Sequence, residues 1–159
     1  ISLIQNEVKP PSKILEISCG NGSDSLRLQE LGYEVVCTEY NKDYVINAQN
    51  LGLNCIEHDT KSKFPFSNKE FDLVYSRLGL HYFSIDELDY ILKDLSRIGD
   101  KLLITVKLVN DIQTNKIILT EDIWENIINK YFNIKEFKVI EGILYDIPSK
   151  WLKILSISK

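Results

Sequence analysis

Residues 13–22 read KILEISCGNG. Lys13 to Ser18 is a short apolar run of β-compatible composition, and the Cys19-Gly20-Asn21-Gly22 stretch after it is turn material. A strand that runs straight into a glycine-rich loop is expected. Ser23 is placed to cap a following helix on which Leu28 and Leu31 share a face, and Gly32 stands where a left-handed stop is wanted. One strand–helix unit is therefore complete by residue 32.

The same grammar continues along the chain. Glu34 to Glu39 reads as a strand, Asn41 as a cap, Asp43 to Leu51 as a helix with Val45 and Ala48 inward, and Gly52 as its stop. Asn54 to Asp59 is a third strand, and after a polar loop around Pro65 the run Phe71 to Ser76 is a fourth. Ser84-x-x-Glu87 has the form of a capping box, with Leu88, Ile91, Leu92 and Leu95 at i, i+3, i+4 and i+7 behind it. Gly99 and Asp100 are expected to turn the chain into a fifth strand, Lys101 to Val106, and a helix near Glu121 to Tyr131 carries Ile123, Ile127 and Ile128 on one side. The last two β-rich runs, Ile134 to Ile140 and Trp151 to Ser158, are separated by ten residues. That is too few for a parallel crossover, so they should pair antiparallel. The pattern defines an α/β fold: a doubly wound, mostly parallel seven-stranded sheet with an antiparallel C-terminal hairpin and helices on both faces.

Length and composition bound the function. The 159 residues suit one domain over 1–159 rather than two, and 44% hydrophobic with 26% charged residues is the balance of a chain that folds by itself. A net charge of −4 offers no positive field for a phosphate backbone or an anionic membrane surface, so neither nucleic acid nor membrane is an expected partner. No run is long and apolar enough to span a bilayer and no segment resembles a signal peptide, from which a cytoplasmic location is expected. Cys19, Cys37 and Cys55 are odd in number and contain no C-x-x-C pair, which predicts reduced thiols and no metal site. The chain starts at Ile1 and has no methionine, so an N-terminal segment is expected to be missing from it.

In doubly wound sheets, ligands sit beyond the carboxyl ends of the strands. Those ends read Glu16 to Gly22, Glu39-Tyr40-Asn41, His58-Asp59 and Ser76 to Phe83, so an acid lies at or near the end of each of the first three strands. This ordered set resembles the class I S-adenosylmethionine-dependent methyltransferases, a Rossmann-like family whose first motif is acid-x-Gly-x-Gly-x-Gly or a near variant. Glu16, Gly20 and Gly22 match it, and Ser18 replaces the first glycine. The resemblance runs from Ile14 to Ser158 and implies S-adenosylmethionine as cofactor, with S-adenosylhomocysteine as product. It further implies that Glu16, Ser18, Gly20, Asn21 and Gly22 surround the methionine end, that Glu39 grips the ribose hydroxyls with Tyr40 against adenine, and that Asp59 accepts from the adenine amino group.

Elementary chemistry points the same way. Glycines at 20 and 22 let backbone approach a ligand, and the N–H groups of the next helix suit an anion. A carboxylate at Glu16 would offset an ammonium but repel a pyrophosphate, and Ser18 and Ser23 stand where a dinucleotide fingerprint has glycines, so a nicotinamide cofactor is the weaker reading. By the resemblance, His81 and Tyr82 lie beside the transferring methyl group, with His81 as a base for the acceptor. The segment after the fourth strand lacks the Asn/Asp-Pro-Pro-Tyr/Phe signature of enzymes that methylate DNA bases or protein glutamine, which favours a small-molecule acceptor. The polar stretch Leu108 to Leu119 is the expected substrate-side element. A second reading is a catalytically silent domain that keeps the fold to bind a protein partner. Oligomeric state is not legible in the sequence.

Overall fold

The computed structural model describes residues 1–108, 119–144 and 147–159. The expected substrate-side element at Leu108 to Leu119 thus lies, apart from its two end residues, outside the described residues. The strands are β1 (Lys13–Ile17), β2 (Glu34–Glu39), β3 (Asn54–Glu57), β4 (Phe71–Arg77), β5 (Gly99–Lys107), β6 (Phe132–Leu144) and β7 (Ile147–Ser158). The helices are α1 (Ser2–Glu7), α2 (Ser23–Glu30), α3 (Lys42–Asn50), α4 (Ile85–Ile98) and α5 (Glu121–Asn129), with a 3-10 turn at Leu80–Tyr82. They form one seven-stranded sheet in the order β3-β2-β1-β4-β5-β7-β6. The pairs β3·β2, β2·β1, β1·β4 and β4·β5 are parallel, whereas β7 runs antiparallel to both of its neighbours. The order reverses between β1 and β4, so the crevice beyond their carboxyl ends is the topological switch point.

The two faces follow from strand alternation. Leu15, Ile17, Val36, Val74, Leu102 and Ile104 pack with the buried stripe of α4 and with Trp124, Ile127 and Ile128 of α5. On the opposite face Ile14, Val35, Leu73 and Leu103 meet Ile4 of α1 and Leu28 of α2, and a smaller cluster gathers Cys37 and Cys55 under Val45 and Ala48 of α3. The expected stripe on α4 is buried in full, Leu88, Ile91, Leu92 and Leu95 together with Ile98. Each such side chain contributes roughly 1.5–3 kcal/mol by leaving water.

Several local expectations need correction. The residue that caps α2 is Gly22, in the left-handed region with no side-chain hydrogen bond, and Ser23 is instead the first helical residue, its hydroxyl donating to Asn21 Oδ1 at 2.7 Å. Gly99 and Asp100 do not turn: Gly99 follows α4 in extended conformation and opens β5, pairing in register with Phe71. The hairpin strands reach further than their apolar cores, and the helix α1 has no counterpart in the sequence reading. α1 holds a single buried residue, Ile4, so it shows no periodic stripe that could announce it.

Candidate active site

The rim at the carboxyl ends of β1 to β4 is built from turns with little freedom. Ser18, Gly20 and Gly22 all have positive φ, at 56°, 55° and 80°. The glycines take this conformation without strain, and Ser18 holds it at a cost of roughly 1–2 kcal/mol. The serine that departs from the family motif therefore keeps the backbone shape a glycine would have. A Cβ on Gly20 would meet nothing within 4 Å, whereas one on Gly22 would lie 2.5 Å from Leu53 Cδ1 and 3.2 Å from Ala48 Cβ. Gly22 is required for packing against α3, while Gly20 borders open space.

Glu39 ties this loop to the end of β2. Its Oε2 accepts from the Gly20 N–H at 2.9 Å, and its Oε1 accepts from the N–H groups of Tyr40 and Asn41, each at 2.9 Å. A carboxylate has about four acceptor positions, so acceptor capacity is left for a ligand hydroxyl. The Glu39 carbonyl in turn accepts from His58 N–H at 2.9 Å, joining the ends of β2 and β3. Asn41 caps α3 by accepting from Asp43 N–H at 2.9 Å, and Tyr40 beside it is 73% exposed, an aromatic face turned to solvent. Asp59 shapes its own turn by accepting from Lys61 N–H at 3.0 Å. His58 lies against the Phe64 ring with centroids 4.5 Å apart.

Glu16, read from the sequence as a carboxylate that would offset an ammonium, is buried. It is 4% exposed and accepts from the Ser25 hydroxyl of α2 at 2.5 Å. Burial pushes its carboxyl up to about 8, against the opposing hydrogen bond from Ser25, with the nearby Asp24 charge adding to the rise. At neutral pH it is held largely as the neutral acid, and an arriving ammonium is the kind of neighbour that would ionise it. Arg77, at the end of β4, forms an ion pair with Asp24 at 2.8 Å.

The fourth strand end meets the glycine loop directly. A Cβ on Gly79 would fall 2.7 Å from Ser76 Oγ and 2.8 Å from Ser18 Cβ, so this glycine is what lets the two segments touch. Leu78 before it also has positive φ, 59°, which is an outlier for a branched side chain. Strain of this kind at Ser18 and Leu78 is concentrated where the two segments meet. The 3-10 turn that follows carries His81 and Tyr82, ring centroids 4.2 Å apart. Leu80 is buried and Phe83 packs on the core, whereas Tyr82 is 61% exposed.

The cysteines were missed as a group. Cys19 follows β1, Cys37 lies in β2 and Cys55 in β3, and their sulfurs are all within 4.8 Å of one another. Successive cysteines are 18 residues apart, the length of one strand–helix unit here, and that spacing was the available signal. Hydrogen bonds from Cys19 and Cys37 hold the Cys55 thiol below its usual range.

A glycine loop at the switch point, a helix start with no side-chain cap and an acid at or near the end of each of the first three strands are an arrangement suited to a nucleotide-type ligand. Residues 14–100 match the family model described as a methyltransferase domain, and the chain belongs to that family. S-adenosylmethionine is the cofactor of the class, and the residues present fit it: open space above Gly20, free acceptor capacity on Glu39 and a neutral, ionisable Glu16 beneath the loop. A UPF0146 protein from Pyrococcus abyssi is 44% identical over 52 residues, 32% of this chain. The match spans 39% of that curated relative's length. Among solved structures, a SAM-dependent methyltransferase from Methanosarcina mazei superposes with a TM-score of 0.82 at 18% identity, covering 99% of this chain and 97% of that one. TehB from Haemophilus influenzae gives 0.82 at 19% identity, covering 99% of this chain and 61% of its own. At such identities the likeness is one of fold.

Proposed function

We propose that the domain transfers a methyl group from S-adenosylmethionine to a small-molecule acceptor by in-line displacement. The observation that carries the reading is the loop Ser18–Gly22, held open above Gly20 and fastened through the Gly20 N–H to Glu39. Glu16, Gly20, Asn21, Gly22 and the backbone of Ser18 would hold the methionine end, Glu39 the ribose, and Tyr40 and Asp59 the adenine. When bound, the cofactor supplies a methyl group on a sulfonium that is already a good leaving group. The chain's own contribution is then alignment and exclusion of water. The close approach that Gly79 allows to Ser18 would set the spacing between cofactor loop and acceptor side, and the exposed Tyr82 ring offers a wall for a planar acceptor. Where the acceptor atom bears a proton, His81 takes it, a role worth roughly 10²–10⁴ in rate. The acidic charge of the chain and the missing Asn/Asp-Pro-Pro signature support a small acceptor over a nucleic acid.

Isothermal titration with S-adenosylmethionine and S-adenosylhomocysteine tests the first half of the proposal: heat with one-to-one stoichiometry is expected, and no heat at millimolar ligand would favour a silent binding module. For the second half, His81→Ala should lower turnover on an identified acceptor about 100-fold or more, with cofactor affinity retained. Unchanged turnover removes His81 from the chemistry.

A further inference from the structure

We propose that Cys19, Cys37 and Cys55 form a binding site for a soft, three-coordinate thiophilic ion. Three sulfurs at about 2.3 Å from a pyramidal ion, with S–ion–S angles of about 100°, lie about 3.5 Å apart. Here Cys19 Sγ and Cys55 Sγ are 3.8 Å apart, and all three sulfurs lie within 4.8 Å of one another, so small side-chain movements that draw the three together close the ring. β2 and β3 supply Cys37 and Cys55, and the loop that follows β1 supplies Cys19, so two of the three donors sit on strand backbone. Among the described residues no further Cys, His, Asp or Glu joins the group; Leu26, Val45, Ala48 and Leu53 pack around it, with the Ser25 hydroxyl beside Cys37.

That donor set selects its ion. Zinc in structural sites takes four ligands, and magnesium and calcium take oxygen, so thiolates alone in a dry pocket suit a softer ion that is content with three. Charge sharpens the choice. Three thiolates around a monovalent ion would leave two negative charges in an apolar cluster, whereas a trivalent ion leaves none. Trivalent arsenic meets both conditions. Three As–O bonds of arsenous acid break and three As–S bonds form, each thiol proton leaving with a hydroxide as water, and no redox change occurs. Cys19 is the point of entry, since the next residue, Gly20, borders open space. The site adjoins the proposed cofactor loop, in which Cys19 lies between Ser18 and Gly20, but no step of arsenic binding involves the cofactor.

Native mass spectrometry of the reduced protein after one equivalent of arsenite and desalting decides it. The expected product is a single adduct heavier by one arsenic and lighter by three hydrogens, with Cys37→Ser and Cys55→Ser each lowering retention more than about 100-fold, beyond what loss of an outer-shell partner costs. An adduct that keeps a hydroxyl on arsenic, no adduct at all, or equal retention in the folded Cys37→Ser variant would overturn the site. So would tighter retention of zinc than of arsenic in direct competition. The wild-type mass alone is decisive if the variants fail to fold.

Discussion

The starts of α2 and α4 are made of the same kind of material and finished differently. At α4, Ser84 and Glu87 complete a capping box, the Ser84 N–H donating to Glu87 Oε2 at 2.8 Å and the Ser84 hydroxyl accepting from the Glu87 N–H. At α2, the cap is a left-handed glycine without a side-chain hydrogen bond, and the residue that might have capped it points its hydroxyl at Asn21. A helix start whose N–H groups are satisfied by its own chain is a structural terminus. At α2 the Ser23 N–H reaches Asn21 Oδ1 only at a long 3.4 Å and no side chain completes the cap, which under the proposed function leaves N–H groups for acceptor atoms of the cofactor.

The largest effect that would test the contrast is at Gly22, whose added side chain has no room. Gly22→Val should destabilise the fold by about 3–5 kcal/mol through strain at φ 80° and collision with Leu53, read from denaturant midpoints. A smaller loss would mean that α2 and α3 can part without harm.

Glu16 comes next. Its carboxyl keeps its proton in the folded state up to about 8, against an ordinary value of 4.5, so the unfolded chain binds fewer protons over that window. Stability from this group is full below 4.5 and falls as pH rises toward about 8. Glu16→Gln should flatten that decline and raise stability at pH 7 by roughly 2 kcal/mol. A parallel slope in both proteins would show that the acid is not held neutral. The same proton must leave when an ammonium binds, so cofactor affinity should rise between pH 6 and 8, roughly, in wild type and not in the variant.

Gly20→Ala separates binding from folding. Its Cβ touches nothing in the protein, so stability should fall only about 1 kcal/mol from the positive φ, while affinity for S-adenosylmethionine should drop at least about tenfold. The mildest test is Ser84→Ala, expected to cost about 1 kcal/mol of stability with cofactor affinity unchanged. If it altered affinity instead, the two helix starts would not be the separate devices they are taken to be.

Much of the fold was legible because its signals are local. The stripe of Leu88, Ile91, Leu92 and Leu95, the Ser84 box and the Asn41 cap depend on neighbours within one turn of helix, and each appears where expected. The misreadings came from contacts distant in sequence. Gly99 enters β5 without a turn because Phe71 stands opposite it in the sheet, and α1 exists because Ile4 is covered by strands that come later. In the candidate site, strand ends could be listed in advance, but the neutrality of Glu16 depends on burial by segments distant in sequence, against the Ser25 hydroxyl, and the exposure of Tyr82 on the turn at Leu80 filling the core in its place.

By itself the amino-acid sequence determined the alternation of strands and helices, the glycine elbow and the acids at the strand ends, since these rest on periodicity, caps and backbone freedom over a few residues. Only the tertiary structure decided which atoms meet. Strands brought side by side set Glu39 on the Gly20 N–H, Gly79 against Ser18, and three cysteines from separate segments into one cluster, because hydrogen-bonded register fixes distances that no run of neighbours along the chain can encode.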